Sequence, residues 1–297
     1  MTAIIRKELR GYFNSWIGYI FLFILVGLVS IFFAFYNLAG QNGNFQYTLT
    51  NITIFLLIII PVLTMRLFAE EARQKTDQLL FTAPISITSI VLGKYLSAFI
   101  LACIGLALTV IFPLMISRFG ELPTSEIFTV YLGYTLLISC FISVGMFISA
   151  CTENQIISAV FTFFVMIFMY IMDSIANAIN NTITASQTTA SAALISLSFV
   201  AVIIAILAYI VYDSTKNYYV AGGLALVLIA AACGVYAFDA SIFDGILVKS
   251  AQWLSVMSRF TNFESGVLSV SDIVYYITFT AAFIYLSINA IEKRRWK

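Results

Sequence analysis

From Gly11 to Met65 the chain runs for 55 residues without one charged side chain. That gap decides the solvent in which the protein folds. A helix needs about 20 apolar residues to cross the hydrocarbon of a bilayer, and a charge near its centre costs roughly 2.5–3.5 kcal/mol to insert. The gap holds two crossings and a turn. The turn falls at AGQNGNFQYTLTN (39–51), where Gly40, Gly43 and several amides interrupt the apolar residues. Charge is scarce throughout: 10% of residues are Asp, Glu, Lys or Arg, and 62% are hydrophobic. A soluble domain carries about 25% and 45–50%. Too little polar surface is left to cover a fold in water. A net charge of +1 with no basic stripe argues against a nucleic-acid partner.

Measured by charge-free runs, the fold class is all-α: a polytopic membrane protein with about eight transmembrane helices. The expected spans are 17–38, 52–68, 90–117, 127–151, 155–172, 194–212, 218–238 and 273–291. The first has a basic flank (Arg6, Lys7, Arg10). It is longer than a signal-peptide core and lacks an A-x-A site, so it reads as a retained span. With both termini inside, 12 of the 15 basic residues are cytoplasmic; Arg118, Lys249 and Arg259 lie outside. The acidic residues divide 7 and 7, as expected when only Lys and Arg are sorted. Trp16 and Trp296 then fall at the inner interface.

What the spans lack narrows the function. No ionisable group sits at mid-span, and the chain has no histidine. Ion-coupled carriers and proton relays usually place such groups there, and an intramembrane hydrolase needs a base or a metal. Gly93-Lys94-Tyr95 is the nearest fragment to a Walker A loop, and it lacks the upstream glycine and the hydroxyl residue after lysine. Cys103, Cys140, Cys151 and Cys233 have no C-x-x-C spacing, so neither a disulfide nor a metal site is expected. No catalytic residue, metal or cofactor is assigned to the chain itself.

Three polar segments remain. In 1–14, Ile4, Ile5, Leu9, Tyr12 and Phe13 recur at helical spacing with Arg6, Lys7, Glu8 and Arg10 between them. That is the pattern of an amphipathic helix lying in the inner interface. The long cytoplasmic loop, 66–95, concentrates Glu70, Glu71, Arg73, Lys75 and Asp77 in about two turns, flanked by Leu79, Leu80 and Phe81. It reads as a short helix over 69–84 stopped by Pro84, with Glu70 and Glu71 placed to pair with Arg73 and Lys75. Either a docking element for a cytoplasmic partner or a solvated connector has this composition. Outside, 240–272 reads as short helices on or re-entering the outer face, and Asp173–Ala193 as a loop with one or two helical turns. Small residues at Gly93/Ser97, Ser139/Ser143 and Gly145/Ser149 permit close helix packing.

The loop RLFAEEARQKTDQLL followed by TAPIS and IVLGKY (66–95) resembles permeases of the type-2 ATP-binding cassette (ABC) exporter class, in the branch that includes gliding-motility and copper-maturation permeases. The start IRKELRGYFNSWIGYIF (5–21), TENQIISA (152–159) and the ending FESGVLSVSDIVYYITF to IEKRRWK (263–297) resemble the same class. The class has a six-span core, so about 190–240 reads as two added spans. The resemblance implies a permease that is not itself catalytic, paired with a second permease subunit, like or unlike. A separate ABC ATP-binding subunit holds ATP and magnesium, and an accessory membrane or extracellular subunit can join. The membrane would be the bacterial cytoplasmic membrane. It further implies that 1–14 is the interfacial helix and 69–84 the coupling helix. Glu70, Glu71, Arg73, Lys75, Thr76, Asp77, Leu79 and Leu80 would bind the ATPase subunit. Trp253, Phe260, Phe263 and Glu264 would belong to an extracellular gate. The rival readings are a partner-free channel or secondary transporter, and a non-transporting scaffold subunit.

Overall fold

The computed structural model describes residues 1–76, 85–118, 123–185, 253 and 255–295. With no water available to satisfy backbone groups, a spanning chain bonds them internally as helix. All regular structure among the described residues is helical. Helix α1 is Thr2–Asn14. Helix α2 is Trp16–Phe33, and it continues as a π-helical turn over Ala34–Ala39. Then follow α3 (Gln46–Thr64), α4 (Ala69–Gln74), α5 (Ile87–Thr109), α6 (Ile111–Ile116), α7 (Thr124–Cys151), α8 (Gln155–Ala185), α9 (Val256–Glu264) and α10 (Val270–Arg295).

Among the described residues, 6 stretches are long and apolar enough to cross a membrane: Trp16–Ala39, Gln46–Gln74, Ile87–Ile116, Thr124–Cys151, Gln155–Ile175 and Val270–Arg294. They coincide with six of the expected spans. The two at 194–212 and 218–238 lie outside the described residues, as do Cys233, Trp296 and all of 240–252. The chain divides into two compact units, Met1–Phe168 with Arg259–Lys297, and Met169–Ser258.

In the first unit α7 is the central helix, packed against α10, α3 and α5. Tyr134, Leu137, Phe141, Val144 and Met146 on it are fully buried. Small residues set the approach distances. A Cβ on Gly145 would collide with the Thr64 side chain of α3, and one on Gly133 would lie 2.6 Å from Phe263. Gly93 is likewise closed over by Ile4 of α1. Tyr95 and Ser139 hydroxyls meet at 2.7 Å between α5 and α7. The outer faces of α2 and α8 instead expose large apolar side chains such as Phe23, Ile156 and Phe164, as lipid contact requires.

Two boundaries of the long helices differ from expectation, and at both polar residues have found partners. Helix α3 starts at Gln46, upstream of the expected 52. There the Gln46 amide donates to Glu126 Oε2 at 2.8 Å, and Thr48 donates to Asn37 Oδ1 at 2.6 Å. Asp173–Ala193 was expected to be a loop, but α8 continues to Ala185. In that stretch Asn177 donates to Asp173 one turn back, at 3.2 Å. In the second unit, Ser255 accepts from the Ser258 backbone N–H at 3.1 Å, capping the start of α9.

Candidate functional site

Four charged side chains from three elements converge where α1, α4 and α5 meet. Lys94 lies two turns into α5, and its side chain is only 2% exposed. Its ammonium sits 2.9 Å from Glu71 Oε1 of α4 and 3.2 Å from Glu8 Oε1 of α1. It also lies 5.2 Å from the centre of the Phe68 ring. Lys7 reaches the same carboxylates, at 3.2 Å from Glu71 and 3.5 Å from Glu8. Two ammoniums face two carboxylates, so the group is neutral as a whole. Removing the buried Lys94 would leave Glu71 and Glu8 without their inner partner, a loss on the order of 3–5 kcal/mol.

The electrostatics follow from that geometry. Burial pulls the Lys7 pKa down, but Glu71 and Glu8 outweigh it and leave the pKa above the ordinary lysine value. Tyr12 sits beside the group, fully buried, and burial followed by Glu8 drives its phenol well up. A polar cleft of about 320 Å³ opens over the group and is also lined by Arg66, Glu70 and Gln74. No nucleophile and base are paired in it. What it can do is hold α1, α4 and α5 together.

Helix α4 is itself held at both ends. The Ser149 hydroxyl of α7 accepts from the Phe68 and Ala69 N–H groups, both at 3.1 Å, and donates to the Met65 carbonyl at 3.2 Å. The bend between α3 and α4 is thereby pinned to α7. Arg66 grips Glu70 through Nε and through Nη2, the latter at 3.2 Å. At the far end Lys75 turns left-handed, with φ 56°. Its N–H bonds Ala72 O at 3.2 Å and the Thr76 N–H bonds Glu71 O at 3.0 Å, a Schellman cap. The helix therefore ends at Gln74, well before Pro84, the stop expected from sequence. The cause is the backbone turn at Lys75.

The expected Glu70/Glu71 to Arg73/Lys75 pairs do not form. Glu70 bonds Arg66, Glu71 bonds the two lysines, and Arg73 and Lys75 make no ion pair among the described residues. Arg73, Gln74, Lys75 and Thr76 are exposed together at the tip of α4. Asp77, Leu79 and Leu80 lie outside the described residues. On α1, Arg6, Lys7 and Arg10 are exposed and Glu8 is half-buried; of these, Lys7 and Glu8 join the group around Lys94.

At the other end of α7, Phe260 and Phe263 of α9 are fully buried. Phe260 meets Tyr134 edge-on at 6.0 Å, and Phe263 tilts against Tyr276 at 6.2 Å. Glu264 is the half-exposed last residue of α9. Trp253, in the second unit, is exposed. Asp272, 4% exposed, accepts from Arg259 at 2.9 Å and from Asn262 at 2.7 Å, and Arg259 lies over the Tyr275 ring at 4.2 Å. Thus Phe260, Phe263 and Glu264 share one helix in the first unit, and Trp253 belongs to the second.

Sequence reasoning missed the centre of the first site. Lys94 counted only as a topology charge. The signal was a lone lysine inside an otherwise uncharged helix, which requires a partner wherever it is buried. Residues 4–219 match the family model described as ABC-2 family transporter protein. No curated protein and no solved structure gives a significant match.

Proposed function

The chain belongs to the ABC-2 transporter family, and from that premise we propose that it is the membrane-spanning permease of an ATP-driven exporter, in the gliding-motility and copper-maturation branch. A separate ABC ATP-binding subunit carries ATP and magnesium, and two permeases pair to form the translocation unit. The protein resides in a bacterial cytoplasmic membrane with both termini inside. Two further spans, 194–212 and 218–238, bring the total to eight. Helix α1 lies along the inner interface, the segment 69–84 is the coupling element, and Phe260, Phe263 and Glu264 belong to the outer gate.

The observation that carries this reading is the Lys94 group together with Ser149. The tip of α4 presents Arg73, Lys75 and Thr76 to solvent, while its root is tied to α7, α5 and α1. That is the form of an element pushed from outside and read by the spans. Nucleotide-driven movement of the partner would shift α4, and the tied helices would move with it between two packed arrangements.

The test is an affinity purification of the full chain, gently solubilised from its native cells, with ATPase activity measured on the eluate. A co-purifying Walker A subunit is expected. The double variant Arg73→Glu with Lys75→Glu should lose that subunit at unchanged melting temperature. Recovery of the wild-type chain with no nucleotide-binding partner would reject the permease reading in favour of a partner-free channel or carrier.

A further inference from the structure

We propose that the outward face of α1 is a binding site for an anionic glycerophospholipid, with Arg6 and Arg10 as the ligands of its phosphodiester. The proposal rests on the reading that α1 lies along the inner interface. Three stripes run along this helix. Ile4, Glu8 and Tyr12 face the protein and are buried or half-buried. Ile5, Leu9 and Phe13 form a second stripe, each only half-buried. Arg6 and Arg10 form a third, exposed and without an ion-pair partner among the described residues. A shallow groove lined by Ile5, Leu9 and Phe13 on one side and Arg6 and Arg10 on the other runs between the last two.

The order of the stripes identifies the occupant. The apolar stripe continues into the outer face of α2: Phe13 meets Tyr19 edge-on at 5.9 Å, and Trp16 beside it is 83% exposed. That surface needs hydrocarbon and interfacial cover. The guanidiniums stand at its polar edge, one turn apart, with side-chain roots roughly 5–6 Å from each other. Two forks at that separation suit one phosphate, which guanidinium binds bidentately. The one carboxylate of α1, Glu8, is turned away toward Lys94, so nothing on this face repels an anion. A glycerophospholipid presents an anion and acyl chains at just this boundary, whereas an acidic protein segment would leave the apolar stripe uncovered.

Annular-lipid selectivity of the full chain, measured by electron spin resonance with spin-labelled phosphatidylglycerol and phosphatidylcholine, tests the proposal. The wild type should retain phosphatidylglycerol over phosphatidylcholine by on the order of tenfold at one site per chain, weakening with salt because the charges are exposed. Arg6→Gln with Arg10→Gln should abolish that preference, and Lys293→Gln, an exposed lysine on α10, should leave it intact. An environment-sensitive dye at Leu9→Cys, quenched by brominated lipid, reports separately on where α1 lies. A quenched dye without any phosphatidylglycerol preference overturns the lipid site and leaves the interfacial reading standing. An unquenched dye overturns both. Loss of a protein partner in the arginine variant at unchanged lipid preference would give the stripe to that partner and also overturn the proposal.

Discussion

The two ends of α7 carry the same local device built for different work. Each holds a short helix closed by a Schellman cap, at Lys75 after α4 and at Gly266 after α9, where Gly266 has φ 76°. Each has a buried ion pair beside that helix. Around Asp272 the partners come from neighbouring stretches: Arg259 and Asn262 lie on α9 and Asp272 on α10, joined by one turn. Around Lys94 they come from α1, α4 and α5, and Lys94 and Glu8 are separated by 86 positions. The first arrangement stiffens a hairpin. The second welds distant parts of the chain, so a displacement at any member is felt by the others. Cap chemistry agrees: the hairpin uses glycine, whose left-handed turn is free of strain, while α4 keeps a lysine there at a cost.

Variants can break or sharpen this contrast. The largest effect is expected from Lys94→Met, which leaves two carboxylates facing Lys7 alone. It should lower stability by about 3–5 kcal/mol, read as a fall in melting temperature of the purified protein, and Glu71→Gln on that background should restore part of it. If the two substitutions simply add, the four charges do not act as one group. Next, Gly266→Ala should cost about 1–2 kcal/mol by combining left-handed strain with a contact on Glu126. Lys75→Gly should act in the opposite direction and stabilise by up to about 1 kcal/mol, seen as slower amide exchange over α4. Shifts of opposite sign at the two caps, the larger at Gly266, would confirm their shared geometry.

The smallest effect concerns pH. The Lys7 pKa is raised in the folded chain, so its contribution is fully present below the ordinary lysine value of 10.5 and is lost as pH rises through the higher folded value. The stability difference between wild type and Lys7→Met should therefore be flat from about pH 6 to 9 and shrink only above about 10.5. A difference that changes near neutrality would show that another group governs the cluster.

Six spans were legible because exclusion of charge from hydrocarbon writes itself as long gaps in the sequence. The start of α3 and the second half of α8 were not, because Gln46, Thr48, Asp173 and Asn177 look like loop residues until their hydrogen-bond partners are seen. In the site, the charged run at Glu70–Lys75 was visible as a feature, yet its pairing was misjudged. Local spacing favours Glu70 and Glu71 with Arg73 and Lys75, whereas Glu71 found a buried lysine that no spacing rule connects to it. The close contacts at Gly93 and Gly145 were legible as small-residue pairs. The use of Ser149 as a double acceptor was not, since its partners are backbone amides that every residue possesses.

That hydroxyl determines how the bend between α3 and α4 behaves under load. Ser149 holds two amides and one carbonyl with the whole of its hydrogen-bonding capacity. A joint with no spare donor or acceptor has no second set of bonds to slip into. In the coupling role proposed above it would serve as a crank pin, passing a tilt of α4 on to the long shaft of α7. Between Ser149 and Glu126 that shaft is roughly 35 Å long, so a tilt of a few degrees at one end would become about 2 Å of travel at the other.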